Sequence, residues 1–255
     1  MKWLGIAVLM GVGAGICGYS RGKVASSQAA QAEPPAVRAM RAQEPVKVDG
    51  VLDDEVWKHA TSYPLSMPDD QQAKRPLTEG GQVQIAWDDH YVYLAARFVD
   101  SDVVAEGTAD QLHHYQLGDV CELFLKPADA SEYWELYVTP RGNKTTFRFP
   151  GRGRFGLPST INAPSGLIVA AAVQGTVNDY TDRDEGWTAE MAMPIRDLTA
   201  HGSKLSPGTD WRILIGRYNY SVYLPATGPE LSTAPHAGAT NFHMLEQYGR
   251  LEFAD

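Results

Sequence analysis

The sequence predicts an all-β domain, an antiparallel β-sandwich with short helical turns, and three observations predict it. Nine short segments of alternating or continuous apolar character recur between residues 83 and 253. Clusters of Asp, Gly, Asn and Pro separate them, and no stretch between them has the length and period of a long helix. Many short strands without intervening helices bury their apolar faces by stacking as two layers.

The 255 residues do not all belong to that domain. Residues 1–25 open with Lys2 and an apolar run from Trp3 to Ile16, the pattern of an export signal peptide or membrane anchor. Ala30-Gln31-Ala32 offers a small-x-small cleavage point. Cys17 offers a lipid attachment point, although Ile16 stands where such signals carry a small residue. The run also approaches the ~20 residues of a spanning helix, so cleaved, lipidated and anchored forms all stay open. Residues 26–44, rich in Ala, Gln, Pro and Glu without a period, read as a flexible linker. One domain is expected over residues 45–255.

That domain begins with Val46-Lys47-Val48-Asp49-Gly50-Val51-Leu52-Asp53-Asp54-Glu55-Val56-Trp57, which reads as a strand, a tight Asp-Gly turn and one helical turn. Asp53 is the expected N-cap and Trp57 the inward anchor. Strands follow at 83–87, 91–99, 120–125, 133–139, 145–149, 167–174, 187–193, 211–220 and 249–253. The segment 91–99 is apolar on both faces and should be central, which leaves Arg97 in need of a carboxylate partner such as Glu122 or Glu190. Pro194 should open a short helix. Cys121, within an apolar strand, reads as a small buried filler. If Cys17 is lost or lipidated it is the sole remaining thiol, and export with one cysteine points to a bacterial periplasm or cell surface.

A formal charge of -9 argues against nucleic acid or an anionic membrane surface as partner. The locally basic run from Arg141 to Arg154 reads as a hairpin with solvated charges. Asp119 and Glu122 invite a glycosidase reading, but three residues apart on one strand their side chains leave from opposite faces. His90, His113, His114, His236 and His243 lack metal-ligand spacing, and the adjacent pair reads as solvated. Acidic loops carrying Asp100, Asp102, Asp182 and Asp184 offer hard oxygen ligands for a structural calcium ion.

Five motifs taken in order resemble the family-9 carbohydrate-binding modules of the DOMON-like β-sandwich superfamily. They are Val48-Asp49-Gly50 through Trp57, Trp87-Asp88-Asp89, Gly118-Asp119-Val120-Cys121-Glu122, Gly186-Trp187 through Pro194, and Asn241-Phe242-His243 with Tyr248-Gly249-Arg250-Leu251. The resemblance implies a binding fold without catalysis, in which a pyranose lies between two aromatic faces. It implies Glu122 as the carboxylate that meets the sugar. Tyr115 and Phe242 stand where the family has its two tryptophans, and the family's Arg and Asn of the next strand fall on Glu135 and Tyr137. Arg217 and Asn241 complete the expected site. The function implied is that of an exported carbohydrate-binding domain in polysaccharide catabolism, working beside glycoside hydrolases and needing no cofactor. Two alternatives stay open: a haem-binding electron-transfer subunit with Met191 or Met244 as an axial ligand, and a glycoside hydrolase.

Overall fold

A computed structural model describes residues 35–225 and 227–254. The expected signal or anchor segment, Cys17 and the first part of the expected linker lie outside these residues. The strands are β1 (Ala36–Arg41), β2 (Tyr63–Pro64), β3 (Gly81–Trp87), β4 (Tyr91–Val99), β5 (Val120–Pro127), β6 (Tyr133–Val138), β7 (Lys144–Phe149), β8 (Ile168–Gln174), β9 (Gly186–Pro194), β10 (Trp211–Asn219), β11 (Glu230–Ala234) and β12 (Gly249–Phe253). Three short helices are α1 (Glu55–His59), α2 (Asp69–Gln72) and α3 (Ile195–Leu198).

Hydrogen bonding runs along the path β7-β6-β5-β10-β12-β1-β3-β4-β9-β8, with β11 beside β10 and β2 beside β3. The path folds over on itself, so that alternate residues of both halves meet inside. Leu123 and Leu125 of β5 and Leu136 and Val138 of β6 share one core with Leu94 and Ala96 of β4 and Trp187 and Met191 of β9. Cys121 belongs to that core and is fully buried, and burial pushes its thiol far up. The expected sandwich and all nine expected strands are present, most within two residues of the anticipated ends.

Two expectations are corrected. Ala36–Arg41, inside the expected linker, is a strand, and it pairs in parallel with β12 on one side and β3 on the other. Val37 and Ala39 point into the core while their neighbours do not, a period-2 pattern that one short Ala- and Arg-containing segment expresses too weakly to stand out. Arg97 is exposed and, among the described residues, pairs with no carboxylate, because position 97 falls on the outer face of β4 beyond the reach of the core.

The entry segment does fasten the sheet, by a different bond from the expected cap. Residues 46–48, expected as a strand, do not form one; Gly50 turns at φ +84°, and Trp57 is buried. The N-cap of α1 is Asp54, not Asp53, and Asp54 Oδ1 accepts from the Lys47 amide at 3.1 Å instead of capping the helix. Glu190, buried on β9, holds the segment. Its Oε2 accepts from the amides of Asp49 (3.0 Å) and Gly50 (2.9 Å), and its Oε1 accepts from the Trp57 indole (2.9 Å). Gly50 is required here, since a Cβ would lie 2.6 Å from the Ala171 backbone.

Candidate ligand-binding site

The face of β5, β6, β7 and β10 turned away from the core carries a second aromatic cluster that includes Phe124, Tyr137, Phe147 and Phe242. Over it lies a cavity of about 360 Å³. Register decides which side chains reach it. Glu122 pairs with Gly216 on β10 and with Tyr137 on β6, and Phe124 pairs with Glu135. Directly paired residues share a face, so Glu122, Glu135, Tyr137 and Tyr218 all point into the cavity. Gly216 leaves room above the sheet for the ring of Phe242, which a Cβ there would meet at 2.6 Å.

Two loops close the rim. A helical turn at His114–Gln116 presents Tyr115, held where the Tyr115 carbonyl accepts from the Tyr220 hydroxyl at 2.7 Å. Gly118, at φ +131°, lets that turn press against Val104, whose carbonyl oxygen would stand 2.3 Å from any Cβ. The closing segment brings Asn241, Phe242 and His243, with Asn241 Oδ1 accepting from the His243 amide at 3.0 Å. Tyr218 lies 5.7 Å from Tyr115 and 5.8 Å from Phe242 between ring centres, so the three rings form a continuous lining.

Of the expected site residues, Tyr115, Glu122, Asn241 and Phe242 therefore come together. Arg217 does not. It pairs with Cys121 and so faces the opposite side of the sheet from Glu122. There, fully buried, its Nη2 donates to Asp100 Oδ2 at 3.0 Å and its Nη1 to the carbonyls of Glu79 and Gly80. Tyr218, one residue on, occupies the place expected for the Arg217 guanidinium.

The electrostatics are those of buried acids. Burial raises the Glu122 carboxyl well above the usual range, helped by the neighbouring Glu135, and lifts Glu135 to about 8. Tyr137 stands between them, and its single hydroxyl proton goes to Glu135. His243 Nδ1 shares a hydrogen bond with the Tyr133 hydroxyl at 3.0 Å, and its Nε2 lies 3.7 Å from Glu135. Burial lowers the His243 ring to about 4, so it is neutral at neutral pH. The Glu122 and Glu135 pair is visible in the sequence only once strands 120–127 and 133–138 are placed in register.

The other expected chemistry is dispersed. Asp119 accepts from the amides of Val104 and Tyr220, at 2.7 and 2.6 Å, and does not line the cavity. His114 is buried rather than solvated, whereas His113 sits at the cavity rim. Asp102 accepts from the Val222 amide, and Asp184 from those of Val103 and Thr176. Asp100 holds Arg217, and Asp182 is exposed. Asp100, Asp102 and Asp184 already face N–H donors, and among the described residues no group of three His, Cys, Asp or Glu is placed to hold a metal ion. The residues therefore do not fit a calcium cage. Met191 is fully buried in the inter-layer core and Met244 is partly exposed; neither lines the cavity. The basic run is paired, with Arg148 on Glu132 and Arg152 on Glu246.

Fold and site together define a ligand-binding β-sandwich whose cavity lies on the outer face of one layer. Residues 48–212 match the family described as carbohydrate family 9 binding domain-like, and the chain belongs to that family. No curated protein matches it. Similar solved structures include a protein of Bacteroides uniformis ATCC 8492 provisionally described as carbohydrate-binding, at TM-score 0.66 and 12% identity over 87% of this chain and 100% of that one. A family-9 carbohydrate-binding module of Caldicellulosiruptor kristjanssonii in complex with cellotriose superposes at TM-score 0.57 and 13% identity, covering 86% of this chain and 93% of that one. Its complex with glucose gives TM-score 0.57 and 14% identity over 86% and 95% of the two chains. At these identities the likeness is one of fold.

Proposed function

We propose that this domain binds a carbohydrate, holding a pyranose in the outer-face cavity. The observation that carries the reading is the cavity's lining: aromatic rings of Tyr115, Tyr218 and Phe242 beside two buried carboxyl groups. The C–H face of a sugar packs on such rings while its hydroxyls need directed polar partners. A cavity of about 360 Å³ admits one or two sugar rings and no long stretch of a chain, so recognition is of an end or a short oligosaccharide. The domain acts without catalysis, as an exported accessory to polysaccharide-degrading enzymes; the apolar N-terminal run supports export, and family membership supports the accessory role.

A glycan array of the domain tests this. Binding to oligosaccharides that falls about tenfold in Tyr115→Ala and in Phe242→Leu is expected. Phe242→Leu is preferred to alanine because Phe242 also packs edge-on against Phe124 at 6.2 Å. Equal binding by native and variant proteins would remove the site. Glycoside hydrolysis abolished by Glu122→Gln would replace binding with catalysis, since a pair of carboxyls is what that chemistry uses.

A further inference from the structure

Glu122 is 2% exposed and lines the cavity, and among the described residues its one neighbouring donor is the Tyr137 hydroxyl, whose single proton is shared with Glu135 and directed at Glu135. An acidic group buried to this degree is normally paired with a cation or with several N–H donors. Every other deeply buried acid near this layer follows that rule: Asp100 has Arg217, Asp119 has two amides, and Glu230 has Arg75 and two amides. The cavity breaks it twice over. Its lining contains two acids and no lysine or arginine, and burial holds His243 neutral.

We propose that the missing cation arrives with the ligand, and that the cavity selects a sugar bearing a free, protonated amino group, such as a 2-amino-2-deoxyhexose. The proposal rests on the carbohydrate reading above and narrows it. The ammonium would lie against Glu122, taking the place of the proton that burial keeps on that carboxyl and sending it to solvent, and would complete a charge-assisted hydrogen bond stronger than any a hydroxyl makes. The faces of Tyr137 and Tyr218 lie on the same side of the sheet as both acids, and aromatic faces attract ammonium groups. The ring carbons would remain on Tyr115 and Phe242. An N-acetylated sugar would present a bulky neutral amide to the same acids and gain none of this.

The test is calorimetric titration of the purified domain with glucosamine, N-acetylglucosamine, glucose and cyclohexylamine at neutral pH, where both amines are mainly charged and the Glu122 proton is displaced more readily than in acid. Glucosamine is expected to bind at least tenfold more tightly than the other three, and that advantage over glucose should shrink below twofold in Glu122→Gln. Because the comparison among ligands is made on the native protein, it stands even if a variant folds poorly; Glu135→Gln provides a second one. Glucosamine and glucose binding equally would overturn the amino-sugar inference while leaving a sugar site. Cyclohexylamine binding as tightly as glucosamine would overturn it in favour of a plain ammonium site. Binding of none of these, nor of any sugar on the array, would remove the carbohydrate reading as well.

Discussion

Replacing Glu190 by alanine strikes the bond that fastens the entry segment to the sheet. Three donors then lose their acceptor together: the amides of Asp49 and Gly50 and the indole of Trp57, all within 3.0 Å of the carboxylate. A hydrogen bond to a charged group contributes ~1.5–3 kcal/mol, and a buried orphan costs ~1–3 kcal/mol. The carboxylate is itself destabilised by burial, which raises its pKa against the pull of those donors and reduces what its removal costs. The net loss expected is therefore about 3–5 kcal/mol, a large part of the ~5–15 kcal/mol that holds a domain together. For a domain of this size it lowers Tm by roughly 10 °C. Glu190→Gln keeps one acceptor oxygen for the two amides but turns an NH2 group toward the indole N–H, so it should cost about half as much. In a Trp57→Phe background that half should shrink to near zero, because the clashing donor is gone. Urea unfolding followed by circular dichroism supplies all four corners of the cycle. A loss below about 1 kcal/mol in Glu190→Ala would refute the fastening role.

Arg217→Ala should destabilise by about 3–5 kcal/mol in the same assay, because it leaves the fully buried Asp100 without its cation, whereas Arg217→Ala with Asp100→Ala should recover part of that. Gly216→Ala should weaken sugar binding more than it lowers Tm, since the added methyl meets the rim-forming Phe242 ring rather than the inter-layer core; unchanged affinity on the glycan array would count against Phe242 as a wall. The pH profile carries a sign. Glu135 is an acid whose folded pKa is raised, from 4.5 to about 8, so the folded state holds its proton longer than the unfolded chain does. Stability contributed by this group is full below about pH 4.5 and falls as pH rises through about 8. Denaturation midpoints measured across that window should decline, and Glu135→Gln should flatten the decline.

The fold was legible because its signals are local and repeated. Apolar runs such as 91–99 and 120–125, and breakers such as Asp88-Asp89, each report one strand or its end. What escaped was short or dependent on context. β2 holds two residues and β11 carries Glu, Ser and Thr among its five, while β1 shows its period only against neighbours far away in sequence. The site was half legible. Tyr115, Glu122, Asn241 and Phe242 could be found by motif. Assigning Arg217 or Tyr218 to the cavity demanded knowing which residue of β10 sits opposite Glu122, and sequence does not state register across 94 positions. The resemblance did put Glu135 and Tyr137 at sugar-approaching positions, but without the β5–β6 register nothing showed Glu135 as the acid beside Glu122.

The place of β1 has a consequence for how the polypeptide can be cut. Among the described residues it is the strand that lies between β12 and β3 in the hydrogen-bonded path, and so joins the two halves of that path. A polypeptide starting at Pro45 would keep every residue of the cavity yet leave an empty berth one strand wide, with unsatisfied amides along both banks. Such a gap invites a foreign strand from any neighbour. A synthetic peptide of sequence Ala36–Arg41, supplied in trans, should dock in it and restore solubility, much as a zip slider rejoins two rows of teeth.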